Sequence, residues 1–229
     1  MSFGLNRGRN FDLGTYGIDR SDLPSIEDGL WDPRSLFEHP DRGFELEIGS
    51  GKGTFLVQQA ELQPETNFLG IEWAGEFYRY AADRLRRRGL RNVRMLHDDA
   101  SEVLVHRIPD GICRVVHVYF SDPWPKARHH KRRVIQDTTL EAVHRVLEPD
   151  GELRLVTDHA DLWTWYVDHA ERHRARFTRD EFSSPESAGE GEVVGTNFER
   201  KFRREGRPFH AMTLRRVEGT RTREGSTEV

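Results

Sequence analysis

From Phe44 onward, two hydrophobic periods take turns along the chain. Short apolar-rich runs bounded by Gly, Asn, Asp or Pro predict strands at Phe44–Ile48, Asn67–Glu72, Asn92–His97, Val115–Phe120 and Glu152–Thr157. Between them, apolar positions at helical spacing predict helices at Thr54–Leu62, Gly75–Arg88, Ser101–Arg107, Arg132–Leu147 and Leu162–His173. This alternation is the pattern of a mostly parallel α/β sheet with helices on both faces. Two further β-type runs, Ala175–Phe182 and Phe209–Val217, have no long helix between them and predict a hairpin-like end with one antiparallel strand. Ser183–Gly195, rich in Ser, Glu and Gly, reads as a mobile loop. Residues 1–43 show weak periodicity and are expected to form an N-terminal arm of uncertain order. Residues 44–217 are read as the domain, and residues 218–229 as a disordered tail.

Composition narrows the class. The chain has 229 residues, 35% of them hydrophobic, and a mean hydropathy of -0.76. A domain of this length still buries roughly 70% of the surface its unfolded chain exposes. The longest clean apolar stretches, such as Val115–Phe120, fall far short of the roughly 20 residues that span a bilayer. The polar N-terminus lacks a signal peptide's apolar core, so a cytoplasmic protein is expected. Cys113 is a lone cysteine in a predicted strand, without a CxxC pair, so neither a disulfide nor a structural zinc site is expected. The net charge of -4 says nothing of a polyanionic partner, but local charge does. Lys126, Arg128, Lys131, Arg132 and Arg133, with His129 and His130, form a basic stretch without an acid. Arg200, Lys201, Arg203, Arg204 and Arg207 form a second, diluted by Glu205.

Glu45 to Gly53 is a strand running into a Gly-rich turn that opens a helix, where Gly49 and Gly51 let a ligand approach backbone amides. Glu72 closes the second strand, placed to accept ribose hydroxyls. A dinucleotide oxidoreductase shares both features. Two acids separate the cases. Asp99, with Asp98 as close rival, ends the third strand where an adenine amine needs an acceptor. Glu47, just before the turn, would repel a pyrophosphate but suits a sulfonium cation, which favours S-adenosylmethionine. A plain capping role for Glu47 stays open.

Val118 to Lys126 follows the fourth predicted strand, where ligands of open α/β sheets meet the strand ends. Two prolines stiffen this loop, Trp124 offers a flat surface beside a base, and Asp122 can grip the N1–H and amine edge of guanine. The bland alternative has Asp122 capping a turn, Trp124 filling core and the basic stretch merely solvated.

Asp122-Pro123-Trp124-Pro125-Lys126, the following Ala127 to Arg133, Thr157-Asp158, and Thr196-Asn197-Phe198-Glu199 together resemble the motifs of the tRNA (guanine-N7)-methyltransferases, over roughly Glu45 to Val217. Ser121 departs from the proline common in the family. The resemblance implies the Rossmann-like class I S-adenosylmethionine-dependent methyltransferase fold with seven strands, and methylation of the variable-loop guanine at tRNA position 46. By it, Glu47, Glu72, Asp99 and Asp122 correspond to cofactor contacts, with Asp122 also the catalytic position. Lys126, Asp158 and Thr196, Asn197, Phe198, Glu199 correspond to substrate contacts. Arg128, His129, His130, Lys131, Arg132 and Arg133 correspond to an RNA-interacting stretch. No RNA role is carried over to Arg7 or Arg9. tRNA is the expected partner, with no membrane and no metal, and the protein is expected to be a monomer or a homodimer. The rival readings are a methyltransferase for a small molecule or an adenine amine, and an idle RNA-binding module.

Overall fold

The apolar runs pair edge to edge. In the computed structural model, which describes residues 10–218, they build one eight-stranded sheet in the order β1-β4-β3-β2-β5-β6-β8-β7. Its strands are β1 (Gly17–Asp19), β2 (Gly43–Ile48), β3 (Thr66–Ile71), β4 (Val93–His97), β5 (Cys113–Tyr119), β6 (Leu147–Thr157), β7 (Phe177–Asp180) and β8 (His210–Arg216). All pairings are parallel except those of β8, which runs antiparallel to both β6 and β7. The helices are α1 (Thr54–Leu62), α2 (Gly75–Arg88), α3 (Ala100–His106), α4 (Asp137–Val146), α5 (Ala160–Arg172) and α6 (Asn197–Arg204). Among the described residues no helix is long and apolar enough to cross a membrane.

The sheet separates two main apolar clusters. Leu46, Leu69, Val116, Val118, Leu153 and Leu155 pack with Leu104 of α3, Leu140 and Val143 of α4 and Leu162 and Tyr166 of α5. Leu56 and Val57 of α1 and Ala81 and Leu85 of α2 cover Phe68 and Met95 on the other side. Each such large side chain, fully buried, contributes about 1.5–3 kcal/mol. Cys113 is buried in the first cluster, and burial raises its thiol pKa far above the usual range.

Several elements differ from the sequence reading. The eighth strand is β1, which comes from the N-terminal arm and lies parallel to β4. Ile18 and Phe37, also from the arm, join the core. The helix expected from Arg132 begins only at Asp137, after a 3-10 turn at Ala127–Arg132. The Gln136 side chain donates to the carbonyls of His130 and Arg133, holding the chain in an extended link before the helix. β6 starts at Leu147 with a bulge, where Asp150 has a φ of 61° and a Cβ on Gly151 would come 2.8 Å from the carbonyl oxygen of Glu148. α6 lies between the last two strands, where the sequence predicts no long helix. The Ser183–Gly195 segment is tied down. Ser187 accepts from Gln59 at 2.6 Å, and Val194 is fully buried. The tail beyond Glu218, with Arg7 and Arg9, lies outside the described residues.

From β2 the chain steps outward through β3 to β4, and then β5 adds on the opposite side of β2. The connections leaving β2 and β5 therefore diverge, opening a crevice at the carboxyl ends of these two strands.

Candidate active site

The crevice is lined first by acids. Glu47 in β2 is 5% exposed, and its Oε2 is buried without a hydrogen-bond partner among the described residues. Burial pushes its carboxyl up to about 8, and the charge of Glu72 adds to the push. Gly49 follows with a φ of 75°, and a Cβ there would meet nothing within 4 Å, so the left-handed conformation, not crowding, calls for glycine. Glu72, just beyond β3, folds back on the turn. Its Oε2 accepts from the Gly51 N–H at 2.7 Å and its Oε1 from the Ala74 N–H at 2.8 Å. Burial raises the Glu72 pKa, the two N–H groups oppose this, and the nearby charge of Asp122 raises it further. Glu47, Glu72 and Asp122 thus share one field.

At the end of β4 the two aspartates diverge. Asp99 caps α3, its Oδ1 accepting from the Ser101 N–H at 2.8 Å. Asp98 is 3% exposed, takes the Asp99 N–H on Oδ1 and faces Arg20 from the arm at 3.5 Å. Asp99 is the more accessible of the two.

The loop after β5 is strained and clamped. Phe120 and Trp124 both have positive φ, 54° and 41°, a conformation that large side chains adopt only when their surroundings enforce it. The clamps come from α5. Ser121 Oγ and Tyr166 Oη are 2.8 Å apart, and Trp165 Nε1 donates to the Ile135 carbonyl at 2.7 Å. Arg133 donates to the Pro123 carbonyl at 2.9 Å, pairs with Asp161 and lies over the Trp165 ring. Asp122 is left exposed, its charge felt by Glu72. Trp124 is held between Arg132, 4.9 Å from its ring, and His129.

Arg133 corrects the expectation for the basic stretch. At 2% exposure it faces inward and holds the loop, while Lys126, Arg128, Lys131 and Arg132 are exposed, without a carboxylate partner among the described residues. His129 packs on Trp124, and His130 lies 4.0 Å from Asp161 and edge-on to Trp165. The second basic cluster is mostly spent on internal pairs. Arg200 pairs with Glu192, Arg203 with Glu199, and Arg207 with Asp158 and Glu205.

α6 roofs the turn. Thr196 caps the helix by accepting the Glu199 N–H, and Asn197 Nδ2 donates to Thr54 Oγ1 at 3.1 Å. Phe198, 43% exposed, reaches over Gly51, where a Cβ would come 3.7 Å from its ring. The result is a cavity of about 190 Å³ lined by Glu47, Gly49, Ser50, Tyr119 and Phe120 below and by Asn197 and Phe198 above. Glu199 departs from the expected substrate contact. Fully buried, it accepts from the N–H groups of Val193, Val194 and Gly195 and from Arg203. Burial works against its ionised form, but these donors hold its pKa below the usual value. Asp158 likewise is engaged by Arg207 at 2.7 Å.

A family model, Methyltransf_4, described as "Putative methyltransferase", matches residues 41–212. The tRNA (guanine-N(7)-)-methyltransferase of Alkalilimnicola ehrlichii is 40% identical over 174 residues, covering 76% of this chain and 72% of that protein. Its namesake from Nitrobacter hamburgensis is 32% identical over 219 residues, covering 93% of this chain and 86% of the other. This chain belongs to the tRNA (guanine-N7)-methyltransferase family. Its fold extends beyond that family. The aminoglycoside resistance methyltransferase NpmB1 superposes with a TM-score of 0.56 at 17% identity, over 82% of this chain and 95% of that one. An S-adenosylmethionine-dependent methyltransferase from Aquifex aeolicus shares the fold, at 13% identity and a TM-score of 0.50 over 81% of this chain and 93% of that one.

The crevice of this tRNA methyltransferase family member fits that cofactor. Glu47 is a buried acceptor in want of a cation, and each Glu72 oxygen keeps a lone pair for a ribose hydroxyl after taking its backbone N–H. Sequence reasoning overlooked the walls. Tyr119 and Phe55 line the cavity, and the only hint of it is Tyr119 standing two residues before Ser121 at a strand end.

Proposed function

We propose that this enzyme transfers the methyl group of S-adenosylmethionine to N7 of the variable-loop guanine at tRNA position 46, acting in the cytoplasm. The observation that carries this reading is the buried Glu47 of the cavity, with no cation against its Oε2 among the described residues, which feels the charge of Glu72 as Glu72 feels that of Asp122 in the loop bearing the exposed basic side chains. When bound, the cofactor supplies an electrophilic methyl on a sulfonium. Glu47 would face its cationic end, Glu72 would hold the ribose and Asp99 would accept from the adenine amine.

Guanine N7 carries a lone pair and no proton, so no base is needed before attack and positioning dominates. Asp122 grips the N1–H and amine edge, with Trp124 beside the base. Methylation leaves positive charge on the purine, which the Asp122 carboxylate stabilises in place. Lys126, Arg128, Lys131 and Arg132 neutralise phosphates, and Thr196, Asn197 and Phe198 border the substrate side of the roof.

The test is methyl transfer from labelled S-adenosylmethionine to unmodified tRNA transcripts with and without the variable-loop guanine, followed by nucleoside analysis. 7-Methylguanosine appearing only when that guanine is present is the expected result. Incorporation elsewhere, or none by protein that binds the cofactor, overturns the substrate assignment. For Asp122, single-turnover rates of Asp122→Asn within a few-fold of wild type across pH would remove it from the chemistry.

A further inference from the structure

Beneath the cavity, on the sheet face that carries Glu47, runs a chain of buried polar groups that none of the family motifs includes. Glu45 of β2 and His117 of β5 are 5% and 1% exposed. His117 Nε2 lies 2.9 Å from Glu45 Oε2, and His117 Nδ1 lies 2.8 Å from the Tyr119 hydroxyl. Tyr119 in turn lines the cavity beside Glu47. Phe55 closes the assembly, its ring 4.8 Å from that of His117 and 5.0 Å from that of Tyr119.

One arrangement of protons satisfies the whole chain. Burial opposes the Glu45 carboxylate, yet His117 and Arg114 together hold its pKa below the usual value, so it is an acceptor. His117 Nε2–H therefore donates to it. Burial also lowers the His117 pKa, keeping the ring neutral, so Nδ1 carries a lone pair. The Tyr119 O–H must then donate to Nδ1, with the Arg154 guanidinium also near the phenol oxygen. The phenol is fixed in direction as well as position, by the same logic that fixes a ring nitrogen through the bond its partner makes. Apolar residues would fill this space at less desolvation cost, so the polar chain calls for a role beyond packing.

We propose that His117, oriented by Glu45, is a positioning residue for cofactor binding, holding the Tyr119 phenol so that its ring forms the cavity wall beside Glu47. The inference rests on the cavity being the S-adenosylmethionine site. An aromatic wall next to a carboxylate suits the cationic end of that cofactor. A ring released from its anchor would sample other rotamers, and binding would weaken while the chemistry on guanine stayed intact.

Titration calorimetry of the full chain with S-adenosylmethionine, alongside methylation kinetics, tests this. Tyr119→Phe and His117→Leu should each weaken cofactor binding about fivefold to tenfold and raise its KM in parallel, with kcat within about twofold of wild type. The double variant should be no worse than either single one, because both break the same path. His117→Asn, whose amide oxygen can accept from the Tyr119 hydroxyl, should recover most of the affinity. A folded His117→Leu or Tyr119→Phe protein that binds as wild type does, or additive losses in the double variant, overturns the inference. If His117→Leu does not fold, Tyr119→Phe decides alone, since it removes only the hydroxyl. Wild-type protein that does not bind S-adenosylmethionine overturns the cofactor reading together with this one, whereas normal wild-type binding with unchanged variants overturns this one only.

Discussion

Arg133 belongs by sequence to a run of exposed cations, yet its guanidinium turns inward to pair with Asp161 in the first turn of α5. The same side chain holds the Pro123 carbonyl, one residue from Asp122. Arg133→Ala should therefore lower stability by about 1–3 kcal/mol and lower kcat at least tenfold, with a smaller loss of cofactor affinity. Arg133→Lys should rescue little, because an ammonium cannot reproduce the planar fork that serves both acceptors. Thermal melts, calorimetry and single-turnover rates on these variants check the split.

Exposed members of the same stretch should behave in the opposite way. Replacing Lys126, Arg128, Lys131 and Arg132 together by Ala should leave the melting temperature nearly unchanged. The slope of log affinity for tRNA against log salt should flatten by about 3, at roughly 0.7–0.9 per lost phosphate contact. A slope unaltered in that variant would assign RNA docking to another surface.

Glu47 makes cofactor binding pH-dependent. Its carboxyl, raised to about 8, is mostly protonated at neutral pH in the free protein, and a sulfonium cofactor selects the ionised form. Affinity for S-adenosylmethionine should rise with pH up to about 8 and then level off. Calorimetry at pH 7 in buffers of different ionisation enthalpy should show proton release, and Glu47→Gln should release about one proton fewer. The sign for stability is reversed. A folded-state pKa above the unfolded value makes the free protein less stable as pH rises from about 4.5 through about 8, and Glu47→Gln should remove that decline.

Glu199 has the ordinary carboxylate sign. Its pKa is held low in the folded state, so its contribution is fully present above the unfolded value and fades as pH falls through the folded one. Glu199→Ala should cost about 3 kcal/mol at pH 7, since three N–H groups and Arg203 lose their acceptor, and the gap to wild type should narrow near pH 4. Denaturant melts at the two pH values measure it.

What the sequence tells and what it withholds divide along physical lines. β2 to β6 are legible because each is an apolar run long enough to stand out, and the glycine turn and Asp122 loop follow from their ends. β1 is three residues long and carries no period, so only the structure reveals it. The late start of α4 is hidden for a different reason. Its helical spacing is real, but Gln136 and Arg133 satisfy loop carbonyls instead of continuing a helix, a tertiary choice that no local pattern records. Within the site, residue type identifies the acids around the cofactor but not the direction in which a side chain points. Arg133 and Glu199 sit inside motifs and read as contacts, and both turn out to be internal ties. Glu45 and His117 show the reverse: polar letters inside strands, easily passed over, that converge on the cavity wall.

The roof over the glycine turn has a consequence for how this protein is made. Asn197 meets Thr54 across 143 residues, so the floor of the pocket leaves the ribosome long before its cover. A nascent chain carrying only β2 to β6 has the acids and the crevice but no enclosure. Enclosure of the pocket is thus deferred until α6 has emerged, and retention of a ligand should report on the arrival of α6 as much as on the pocket's own chemistry.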